Sequence, residues 1–156
     1  MTNTVVIGLG APLMRDEGAG VHLVRALAAR SDEFPGVDFI DLGTASARVL
    51  HAIANRQKVV ILDCTFMDEA PGTIRRFTPD EVRSVKGDPR MSLHGGDLFQ
   101  TLELSAALGE QPDSIVMFGI QPDDVAQGEE LSPVLAARFD EYMALIAAEI
   151  SEVADA

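Results

Sequence analysis

Residues Val5–Gly20 read VVIGLGAPLMRDEGAG, and this stretch decides the fold. The β-branched run Val5-Val6-Ile7 stops at Gly8-Leu9-Gly10, and a short loop carries Asp16 and Glu17 into a helical pattern that starts near Gly18. A strand, a glycine turn and a helix start make the opening of a βαβ unit. In open α/β sheets, ligands bind where a strand's carboxyl end meets the next helix, which is where the two acids stand.

Working outward, strand one covers about Thr4–Leu9, and helix one about Gly18–Arg30, with Val21, Val24, Leu27 and Ala28 at helical spacing. Val37–Gly43 reads as strand two and Ala45–Arg56 as helix two. Lys58–Cys64, KVVILDC, carries an unbroken Val59-Val60-Ile61-Leu62 run, the mark of a central strand buried on both faces. Ala70-Pro71-Gly72 signals a turn, and Thr73–Phe77 alternates as an edge strand that is free to run antiparallel. One helical turn at most is expected from Thr78 through Val82, then a polar loop over 83–92. A third helix spans about Gly96–Leu108, and Ser114–Ile120 is the last strand. Ser132 is placed to cap a long terminal helix, with Pro133 at its first position and Leu135, Phe139, Tyr142, Met143, Ile146 and Ile150 along its apolar stripe.

This order predicts one α/β domain over residues 1–156. It is a three-layer α/β/α sandwich around a twisted, mostly parallel sheet of about five strands. The 47% hydrophobic and 24% charged content suits such a globule. No apolar run approaches the ~20 residues that span a bilayer, and MTNTVVIG enters strand one without a basic leader, so neither membrane nor signal peptide is expected. A single cysteine, Cys64, rules out an internal disulfide and suits a cytoplasmic protein. The net charge of −13 argues against nucleic acid, whose binders gather Lys and Arg on one face. It is compatible with a cationic partner or a metal ion, and equally with solubility alone.

Right-handed crossovers predict the strand order 2-1-3, so the switch point lies between strands one and three. Glu17 follows strand one, Asp63 ends strand three, and His94 in SLHGGD precedes helix three, so one Glu, one Asp and one His share that crevice. Two carboxylates and an imidazole form a ligand set for a borderline divalent ion, with open positions for water or substrate. The alternative is structural: Asp16 and Glu17 favour the helix start through its dipole, Asp63 caps a loop, and His94 is a polar surface residue. A dinucleotide site is disfavoured, since the third glycine of G-x-G-x-x-G would fall at Leu13 and Asp16 and Glu17 would repel a pyrophosphate. Cys64 points away from Asp63 into the core. His22 and His51 read as structural residues inside helices, and no G-x-S-x-G elbow occurs.

The motifs resemble those of the nickel-iron hydrogenase maturation proteases, whose opening reads G-x-G-N-x-L-x-x-D-[DE]-G-x-G. GLGAPLMRDEGAG is similar to it, and the likeness continues in order through DLGT, ILD, PGTIRRF, the S-x-H before helix three, GIQP and LSP. The chain departs from the pattern at Ala11, followed by Pro12, where the family has Asn. The resemblance implies a phosphorylase/hydrolase-like sandwich. It also implies an endopeptidase that removes the C-terminal extension of a nickel-loaded hydrogenase large-subunit precursor. Carried over residue by residue, the family's metal ligands fall on Glu17, Asp63 and His94, and the metal is the nickel brought by the substrate. Asp16 and Asp63 are the acid/base candidates, both Glu17 and Asp63 are expected at the solvent-facing edge, and the enzyme is expected to act as a monomer. Two other functions fit the same residues: a metal-sensing assembly factor that binds the precursor without cutting it, and a small-molecule hydrolase.

Overall fold

The computed structural model describes residues 3–83, 92–93 and 98–154. Strand β1 covers Thr4–Leu9, β2 Val37–Gly43, β3 Lys58–Phe66, β4 Ile74–Phe77, β5 Ser92–Leu93 and β6 Ser114–Ile120. The α-helices are α1 Ala19–Ala28, α2 Val49–Ile53, α3 Pro79–Arg83, α4 Leu98–Ala107, α5 Pro133–Ala137 and α6 Phe139–Ala154. A 3-10 turn, Arg15–Gly18, leads into α1.

The sheet runs β2-β1-β3-β6-β4, with β5 attached to the end of β3. Strands β2, β1, β3 and β6 are parallel, and β4 closes one edge antiparallel to β6, as the sequence predicts. Alternation along β3 feeds two cores. Val60 and Leu62 pack with Leu23, Val24, Leu27, Tyr142 and Ile146 from α1 and α6. Val59 and Ile61 pack on the other face with Val49, Ile53, Leu98 and Leu102 from α2 and α4. That is the expected sandwich with helices on both faces, and it explains the continuous apolar run of β3.

Several boundaries differ from the expectation. β3 extends through Phe66, because Thr65 and Phe66 pair antiparallel with Leu93 and Ser92 of β5. Helix two opens as a 3-10 turn, Ser46–Arg48, and its α part ends at Ile53, since Ala54 leaves the helical region and Asn55 takes φ 59°. Of the predicted loop 83–92, Arg83 belongs to α3 and Ser92 to β5; 84–91 lie outside the described residues. The terminal helix is two helices. Ser132 caps α5, accepting from Leu135 N–H at 3.4 Å, and the break falls at Arg138, φ −105° and ψ 5°. There the Arg138 guanidinium donates to the Gly72 carbonyl at 2.6 Å and the Tyr142 hydroxyl donates to the same oxygen at 2.6 Å, so the turn before β4 is tied to this corner.

Gly20 sets how deeply α1 seats. A Cβ there would fall 2.2 Å from the Leu62 carbonyl oxygen and 2.6 Å from that of Leu9. The helix start is thus pressed between the ends of β1 and β3, and the residues just before it are delivered to the crevice.

Candidate active site

The 3-10 turn carrying Asp16 and Glu17 packs against β3 at the carboxyl edge of the sheet. Gly10, at φ 133°, lets the chain reverse after β1 so tightly that a Cβ would sit 2.0 Å from the Glu17 carbonyl oxygen. That oxygen accepts from Ala11 N–H at 3.1 Å, and Pro12 lies against Gly18. The Ala11-Pro12 departure therefore touches the backbone that carries Glu17. Glu17 is half-buried and has polar contacts of its own.

Asp63 sits on β3 opposite Gly119 of β6 and accepts from Cys64 N–H at 2.8 Å. It is only 2% exposed, so the expectation that it stands at a solvent-facing edge is corrected: β6 pairs alongside it and the 3-10 turn packs on its strand. Cys64 turns to the other face and is 1% exposed. Burial, and after it the charges of Asp63, Glu17 and Asp16, push its thiol far above the ordinary range. Iodoacetamide should leave Cys64 unlabelled in the native protein at pH 8 and modify it once denaturant is added; native labelling at a free-thiol rate would contradict this burial.

Asp16 lies differently from Glu17, its neighbour. It is 0% exposed, its Oδ2 accepts from the N–H groups of Asp123 and Asp124 at 2.9 Å each, and its Oδ1 accepts from Ser132 N–H at 2.8 Å. Gln121 of GIQP has no role legible in its local pattern, yet its side-chain oxygen accepts from Met67 N–H at 2.6 Å and pins the chain leaving β3. The only sequence signal was the motif itself. His22 and His51 lie inside α1 and α2.

His94 lies outside the described residues. The residue before it, Leu93, pairs with Thr65, two positions beyond Asp63. Among the described residues no group of three His, Cys, Asp or Glu side chains is arranged to hold a metal ion. The carboxylates of Glu17 and Asp63 are hard oxygen donors of the kind a divalent cation takes.

The fold is an α/β sandwich with the turn bearing Glu17 packed on the strand bearing Asp63 at the carboxyl edge of the sheet. Residues 21–149 match the family model described as hydrogenase maturation protease. The hydrogenase expression/formation protein HupD of Thiocapsa roseopersicina is 32% identical over 86% of this chain, which spans 62% of that relative's length. The hydrogenase 2 maturation protease of Escherichia coli is 29% identical, with 95% of this chain and 90% of that protein covered. The solved E. coli hydrogenase maturating endopeptidase HybD superposes with a TM-score of 0.82 at 27% identity, covering 97% of this chain and 93% of that one. The chain belongs to the hydrogenase maturation protease family. The resemblance read from its motifs is borne out, and so is the predicted fold.

Proposed function

We propose that this chain is the endopeptidase its family membership points to. It cuts the C-terminal extension from a nickel-loaded hydrogenase large-subunit precursor, acting in the cytoplasm as a monomer. What supports the reading is the match to the maturation proteases over residues 21–149, together with the packing of the turn that carries Glu17 against β3, the strand that carries Asp63. Among the described residues no helix is long and apolar enough to cross a membrane.

In this reading the carboxylates of Glu17 and Asp63 and the imidazole of His94 would hold the precursor's nickel. Nickel held there would supply Lewis acidity. Hydrolysis also needs a base: water attacks the carbonyl carbon and loses a proton to a carboxylate, which returns it to the departing amine as the C–N bond breaks. Asp63 is the better placed of the two acid/base candidates, because Asp16 is sealed behind three backbone N–H groups.

Incubation with purified nickel-loaded precursor tests the reading by mass spectrometry. A large subunit shortened at its C-terminus, absent when the precursor lacks nickel, is the expected result. Binding without shortening would mark a non-cleaving assembly factor instead.

A further inference from the structure

Asp16 is a buried charge that the cleavage chemistry leaves unused. The segment around it is laced to the connection between β6 and α5. Arg15 N–H donates to the Gly128 carbonyl at 2.9 Å, Gly128 N–H to Leu13 at 2.8 Å, and Asp16 N–H to Asp124 at 3.1 Å. Arg15 itself takes φ 44°, a left-handed conformation that a side chain adopts only when its surroundings hold it there. The carboxylate of Asp16 completes this lacing with three N–H acceptances, all from residues more than a hundred positions away. A charged acceptor in such a place makes stronger bonds than a neutral one.

We propose that Asp16 is a positioning residue: its carboxylate locks the Arg15–Gly18 turn onto the β6–α5 connection and so fixes where Glu17 presents its own carboxylate. The proposal rests on Glu17 being a ligand of the metal. The next residue along the turn has Ala11 N–H on its carbonyl, so Glu17 is held from behind by Asp16 and from above by the Ala11-Pro12 loop. Outer partners that orient a ligand typically govern metal affinity by about 10–100-fold.

The lock can be opened without touching either acid. Ser132→Pro removes the N–H that Asp16 Oδ1 accepts, and Ser132 already has φ −58° and ψ 156°, values that proline adopts and that suit a residue before Pro133. Ser132→Ala deletes only the capping hydroxyl. Cd2+ serves as the probe, with binding to the full chain measured by calorimetry below the unfolding temperature. Ser132→Ala should bind within about twofold of the parent, whereas Ser132→Pro and Asp16→Asn should weaken binding by roughly tenfold or more. Parent-like binding by Ser132→Pro and Asp16→Asn, with Glu17→Gln impaired, overturns the positioning role alone. Parent-like binding by Glu17→Gln overturns the metal-site reading instead. If Asp16→Asn does not fold, the two Ser132 variants decide. Loss of folding in both Asp16→Asn and Ser132→Pro makes Asp16 a folding element and overturns the proposal.

Discussion

Glu17→Gln is expected to leave a folded protein whose processing of the nickel-loaded precursor falls by roughly a hundredfold or more, the scale on which charged or polar groups at a reacting centre matter. Glu17 is half-buried on a turn whose backbone bonds survive the change, so stability should move by no more than about 1 kcal/mol. Asp63→Asn should lose processing to a similar degree. Its carboxylate is 2% exposed and accepts from Cys64 N–H, so it should also lose about 1–3 kcal/mol of stability. The double variant should process little worse than either single one, because residues that act as a unit are not additive. Leu62→Ala supplies the contrast: fully buried on the same strand, it should cost roughly 2–5 kcal/mol while the folded fraction still cuts. Processing rates normalised to the folded fraction decide the matter, and retained cleavage by Glu17→Gln would remove this residue from the site.

Glu149→Gln is expected to destabilise the protein by about 3 kcal/mol without touching the active edge. Glu149 on α6 is 6% exposed and accepts from Lys58 at the start of β3 and from Arg76 on β4. Lys58 is itself only 9% exposed, so neutralising the acid strands a buried ammonium; Arg76, 48% exposed along its side chain, can turn to water, which keeps the cost near the low end for a broken buried pair. The melting temperature should drop by roughly 6–12 °C for a chain of this size. The Arg76 hydrogen bond first, then the Lys58 bond, hold the Glu149 carboxyl below its ordinary value of 4.5 against the opposing effect of burial. Because the folded-state value is the lower one, the stabilisation is present in full above about pH 4.5 and fades as pH falls through the depressed value. Denaturant titrations at neutral pH and near pH 3.5 should therefore show the gap between parent and variant narrowing in acid. An equal gap at both would mean the cluster contributes nothing through charge.

Much of this architecture is legible in local patterns. Val59–Leu62 announces a strand covered on both faces, Ser132-Pro133 announces a helix start, and crossover handedness places Glu17 and Asp63 on one edge. What escaped depends on partners far along the chain. Asp16 and Glu17 look equivalent in sequence, yet one is sealed and the other half-buried, and the seal on Asp16 comes from N–H groups at Asp123, Asp124 and Ser132. Periodicity also runs unbroken from Leu135 through Phe139 to Tyr142, so the break at Arg138 leaves no mark on it; the Gly72 carbonyl that engages Arg138 lies in a different third of the chain. The Lys58–Glu149–Arg76 cluster is invisible for the same reason.

The lacing of Asp16 also has a consequence for the order of events during synthesis. Asp16 leaves the ribosome early, but its three donors follow only 107 to 116 residues later. A nascent chain that ends before Asp123 carries Glu17 on a turn with none of the three Asp16 donors, whatever β1, β2 and β3 have already built. Contacts of such long sequence separation form late, since the intervening loop must be ordered first. A translation product that stops before Ser132 thus has every strand of the sheet but an unfinished lacing behind the turn that carries Glu17.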